Sequence, residues 1–91
     1  MSRRQTNISR RPRQIVADLK GTGRRIREIR GFELTQGEFG RVLGITQAQL
    51  SKYELGLSAP TPDILLRLKA YSGKTIDWIL NGEESKAGSR G

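Results

Sequence analysis

The stretch Gln36-Gly-Glu-Phe-Gly-Arg-Val-Leu-Gly-Ile-Thr-Gln-Ala-Gln-Leu-Ser-Lys-Tyr-Glu-Leu55 decides the fold, because its punctuation marks two short helices and a tight turn. Thr35 stands before it and, with Glu38, has the Thr-x-x-Glu spacing of a capping box that opens a helix. Thr46 and Gln49 repeat that spacing eleven residues on. Gly44 lies between them and offers positive φ at no steric cost. Helices joined this closely cross near a right angle, and their backbones approach. Gly40 is the tiny residue the crossing requires, while Phe39, Leu43, Ile45 and Leu50 fill the wedge and Val42 is buried in part. Gly37 has no comparable reason, although each glycine lowers helix propensity by about 1 kcal/mol relative to alanine.

With those residues inward, the opposite face of the second helix is polar: Thr46, Gln47, Gln49, Ser51 and Lys52, with Ala48 its one apolar member. An α-helix fits the major groove of DNA and offers its N-terminal residues to base edges. Gln47 has the groups to pair bidentately with adenine, Ala48 can touch a thymine methyl, and Lys52 can reach guanine or a phosphate. Any surface helix has a polar face, so that face alone says little. The inward set with Gly44 is what makes the segment a helix-turn-helix.

Outward from this centre the pattern is all-α. A first helix spans about 22–30, with Ile26 and Ile29 inward and Gly31 as an αL residue past its end. A fourth opens at Thr61 with Pro62 in the first helical position, carries Ile64, Leu65, Leu68 and Tyr71 inward, and stops at Gly73. A fifth runs from Thr75 to about Leu80, with Ile76, Trp78, Ile79 and Leu80 apolar and Asn81-Gly82 as its stop. The organisation expected is a basic N-terminal arm over 1–20, a helix-turn-helix domain over 21–82, and a disordered tail over 83–91. Within the arm, Ile15, Val16 and Leu19 are spaced to permit a short helix, which Gly21 and Gly23 would end.

Composition narrows the function classes. The 91 residues hold no cysteine and no histidine, so thiolate sites, disulfides and the commonest general base and metal ligand are missing. No carboxylate pair, nucleophile or phosphate loop stands out, so no enzyme, cofactor, metal or small-molecule substrate is expected. No stretch approaches the roughly 20 apolar residues of a membrane span, and no apolar core follows the basic N-terminus as in a secretory signal. A cytoplasmic protein without a membrane partner is the expectation. The net charge of +8 is uneven: +5 in residues 1–20, +2 in 21–60 and +1 in 61–91. Such an excess attracts polyanions.

The segment Thr35-Gln36 through Gly56, with Ser51-Lys-Tyr-Glu54, Pro60 and Asp77-Trp-Ile-Leu-Asn-Gly-Glu83, resembles the Xre/Cro family of phage-repressor-like helix-turn-helix domains. The resemblance covers about 24–83. It implies a compact all-α five-helix bundle of the phage-repressor type and a role in transcriptional regulation at palindromic operators. By position it implies that Gln36 and Arg41, together with Gln49 and Ser51, meet DNA phosphates. Thr46, Gln47, Ala48 and Lys52 would face the bases. Glu54 matches the family's buried acid, whose partner is the arginine ending the first helix, here Arg30; that pair would hold the fold rather than touch DNA. The link Gly31–Leu34 is one residue shorter than in many members.

The partner expected is double-stranded DNA, bound by a homodimer formed through the fourth and fifth helices, with occupancy producing repression. Arg10, Arg11 and Arg13 of the arm would add phosphate or minor-groove contacts. Two rivals share the fold: an antitoxin that also neutralises a toxin through an arm or tail, and an adaptor that binds proteins and has lost DNA binding. Trp78 and Tyr71 belong to the core in this reading, not to a ligand platform.

Overall fold

A computed structural model describes residues 18–83 of the chain. The proposed contacts at Arg10, Arg11 and Arg13, the helix suggested around Ile15 and Val16, and residues 84–91 lie outside that range. Within it are five helices in sequence: α1 Leu19–Arg30, α2 Gln36–Leu43, α3 Gln47–Glu54, α4 Pro62–Ser72 and α5 Ile76–Asn81. There is no strand among the described residues.

Local chemistry sets each start. Threonine hydroxyls at 35, 46, 61 and 75 accept the backbone N–H three residues on, and Asp18 does the same for Gly21. At α2 the capping box is reciprocal, since Glu38 returns an acceptor to the Thr35 N–H at 2.9 Å. At α3 only half of the expected box is present. Thr46 accepts from Gln49 N at 3.1 Å, but no bond returns from the Gln49 side chain to Thr46 N.

The first helix differs most from expectation. It begins at Leu19, and Gly21 and Gly23 lie buried inside it rather than ending a separate arm helix. Asp18 supplies the cap that the sequence pattern missed, so α1 opens three residues before the expected start at 22. Gly23 and Gly40 are explained by packing, and Gly21 by the Asp18 cap that closes over it. A Cβ at 23 would sit against the carbonyl oxygens of Tyr53 and Glu54, and one at 40 would come within 2.8 Å of the Ile45 carbonyl oxygen. Gly31 has φ 75° and ψ −164°, which is not αL but the extended positive-φ region open essentially to glycine alone.

The core is formed by Ile26, Phe39, Leu43, Leu50, Tyr53, Ile64, Leu65, Leu68 and Ile79. Each fully buried large side chain among these contributes about 1.5–3 kcal/mol relative to exposure. Tyr53, which helical spacing did not mark as inward, is buried. Tyr71, expected inward, is half-exposed; its ring meets Phe39 edge-on at 5.1 Å. Val42 is also half-exposed. Ile29, Leu34, Ile45, Ile76, Trp78 and Leu80 pack around the core in part. The apolar residues of α5 are therefore largely used within the fold, and exposed apolar surface falls on Phe32, Leu55, Leu57 and Leu66.

Candidate nucleic-acid interface

The turn between α2 and α3 fixes how α3 is presented. Gly44 ends α2 in the left-handed conformation, φ 77° and ψ 29°. Its N–H closes on Gly40 and Arg41, and Ile45 N donates to the Gly40 carbonyl at 2.8 Å. From α4, Arg67 Nη1 donates to the Leu43 carbonyl at 2.6 Å, satisfying a backbone acceptor left over at the end of α2. With α3 held through Leu50 and Tyr53, its opposite side faces water. Thr46, Gln47, Ala48 and Lys52 are exposed, while Gln49 and Ser51 are half-buried. Ala48 and Lys52 are four residues apart and so lie one above the other on the helix. Among the described residues the Gln47 and Lys52 side chains have no hydrogen-bond or ion-pair partner, so their donors and acceptors point to solvent.

Residues implied for the flanks divide. Arg41, in the last turn of α2, is exposed. Gln36 is half-buried, and its Nε2 donates to Glu54 Oε1 at 3.0 Å. Glu54, the last residue of α3, also receives Arg30 Nε at 2.8 Å and Nη2 at 3.0 Å. Its side chain is only 4% exposed. The hydrogen bond to Glu54 raises the Arg30 pKa above its ordinary value, against the opposing effect of burial. Removing one partner of such a buried pair costs about 3–5 kcal/mol.

Three anchoring residues escaped the sequence. Arg25 donates from Nε to the Ile79 carbonyl at 2.8 Å and from Nη2 to the Leu80 carbonyl at 2.9 Å, closing the end of α5. Thr22 Oγ1 adds a bond to the Leu80 carbonyl at 3.0 Å. Arg25 stood among three similar arginines of α1, and nothing local separated it from Arg24 and Arg27. Arg67 offered only its i,i+4 spacing from Asp63, an exposed pair at 3.2 Å.

The surface concavities flank Phe32 at the end of α1, bordered by Arg24, Arg27 and Glu28 on one side and Glu33, Leu34 and Tyr71 on the other. Neither gathers nucleophiles or paired acids. No group of three metal-ligating side chains occurs among the described residues, and no helix there is long and apolar enough to cross a membrane.

Residues 24–79 match the helix-turn-helix family. No curated protein matches the chain. Among solved structures, the chain is similar to the P22 c2 repressor protein in the crystal structure of its complex with synthetic operator 9T in the presence of Tl+. The TM-score is 0.62 and the identity 27%, over 68% of this chain and 96% of the repressor chain. The chain belongs to the Xre-like helix-turn-helix family and has the phage-repressor fold.

Proposed function

We propose that the protein is a sequence-specific double-stranded DNA-binding transcriptional regulator that places α3 in the major groove and represses by occupying its site. The carrying observation is that α3 is fixed from within while Thr46, Gln47, Ala48 and Lys52 remain exposed. The similar P22 c2 repressor is held on an operator, which supports the same use of the corresponding surface here. Gln47 reads adenine, Ala48 a thymine methyl, and Lys52 guanine or adjacent backbone. Thr46 faces the same bases at the mouth of the helix. Gln36, Arg41, Gln49 and Ser51 set the register on phosphates, and Arg10, Arg11 and Arg13 add contacts from the arm. Two copies acting together would place their α3 helices about 34 Å apart, one turn of DNA.

Selection from a randomised duplex pool tests this, with Gln47→Ala and Lys52→Ala beside the parent. Gln47→Ala is expected to weaken or relax site choice by about 1–3 kcal/mol. Replacing Arg10, Arg11 and Arg13 with glutamine should weaken all duplexes alike and reduce the salt slope by about 0.9 for each phosphate no longer neutralised. A parent that selects no duplex over bulk DNA at moderate salt overturns the proposal. Sedimentation showing only monomer at tens of micromolar, with and without the selected duplex, overturns the homodimer.

A further inference from the structure

Glu54 has a bond that its ion pair does not explain. Arg30, which ends α1, already supplies two donors to this carboxylate, at 2.8 and 3.0 Å. The third donor is Nε2 of Gln36, the first residue of α2, at 3.0 Å. Arg30 Nη1 also donates to the Leu34 carbonyl at 3.0 Å, so the chain is held on both sides of the α2 cap, Thr35. The last residue of α3 therefore fixes the opening of α2 directly through Gln36 and indirectly through Arg30.

A primary amide carries two N–H donors and an oxygen, and only the NH₂ side can face a carboxylate. With one N–H on Glu54, the plane of the amide is set and the second N–H has a defined direction. This donor lies at the N-terminal end of α2, where the helix dipole and the first-turn N–H groups favour a phosphate. A side chain already fixed gives up less freedom when it binds.

We propose that Glu54 is a positioning residue for the DNA backbone contact: it orients the Gln36 amide in the free protein so that its second N–H is set for a phosphate. This rests on the proposed function and adds to it a link between the base-reading helix and the backbone clamp. The contact is neutral, so it strengthens binding without changing which bases are read.

The test uses the full chain and the duplex selected from the randomised pool. Gln36 is varied rather than Glu54, because removing the carboxylate would strip Arg30 of its counter-charge and endanger the fold. Gln36→Met removes the amide at similar length. Gln36→Asn keeps the amide but is a methylene short of bridging Glu54 and a phosphate. Both should weaken binding to the duplex by about tenfold, with base preferences and salt slope close to the parent's. Binding is measured at a temperature where circular dichroism shows each variant folded, since the lost bond to Glu54 also lowers the thermal midpoint. In the DNA-free parent, the Gln36 side-chain amide should give two separate resonances exchanging slowly with water. Binding by Gln36→Asn equal to the parent's overturns the proposal, as does a motionally averaged, fast-exchanging Gln36 amide. A pool yielding no selected duplex overturns the proposed function instead, so the two failures are distinguishable.

Discussion

Gly23 of α1 lies so close to Tyr53 of α3 that a Cβ at position 23 would come within 2.5 Å of the Tyr53 carbonyl oxygen. The obstruction is backbone on both sides, with Glu54 next to it, so no side chain can swing away. Gly23→Ala must therefore push α1 off α3. The expected cost is about 1–3 kcal/mol, read from urea unfolding, with weaker duplex binding as the seating of α3 loosens.

Gly37 is the contrasting case. Its φ is ordinary, and a Cβ there would find nothing nearer than Thr35 Oγ1 at 3.9 Å. Gly37→Ala should stabilise the domain by up to about 1 kcal/mol through helix propensity alone. A raised urea midpoint with unchanged slope checks it, and a lowered midpoint would contradict the open space seen around the position.

Arg25 and Arg24 are neighbours of the same type with unequal roles. Arg25 satisfies the Ile79 and Leu80 carbonyls, whereas the Arg24 side chain is exposed. Arg25→Met should cost about 1–3 kcal/mol because it leaves the Ile79 carbonyl without its side-chain donor and the Leu80 carbonyl with Thr22 Oγ1 alone. Arg24→Met should change thermal stability by less than about 0.5 kcal/mol. Equal losses at the two positions would refute the assignment.

Asp18 gives the domain an acid-sensitive edge. The Gly21 N–H, followed by Arg25, holds its pKa below the ordinary 3.8. The folded carboxyl is the stronger acid, so its stabilisation is fully present above the unfolded pKa and fades as pH falls through the lower folded value. Asp18→Asn should therefore lower the urea midpoint at pH 7 and lose that difference as both proteins are taken toward pH 2. A difference that persisted undiminished at pH 2 would place the effect elsewhere.

Much of the fold was legible because the deciding signals are local. Threonines before α2, α3, α4 and α5 cap within three residues, and Gly44, Gly73 and Gly82 end helices in the left-handed conformation. The inward set Phe39, Gly40, Leu43 and Leu50 follows from helical spacing and is buried. What stayed hidden was set by distant partners. Gly23 looks like a helix breaker until α3 is laid against it, and Gly21 until the Asp18 carboxylate closes on its N–H. Arg25 becomes special only when α5 returns to α1, a sequence separation of 54 residues at Ile79. Similarly, Gln36 carries a donor in any helix, but its bond to Glu54 depends on the angle between α2 and α3. The same locality explains why the exposure of Thr46, Gln47, Ala48 and Lys52 was legible: it follows from what the other side of α3 buries.

One guanidinium touches both ends of the described domain. Arg25 pairs with Asp18 at 3.3 Å, bonds to Leu80 at 2.9 Å, and lies beside Gly82. The start of α1 and the end of α5 are thus held side by side by one non-covalent staple. A short linker from position 83 back to 18 would join them covalently, and new ends could be opened at the exposed Gly31–Phe32–Glu33 turn. A circular permutant of this kind would keep α2 and α3 in one uninterrupted segment.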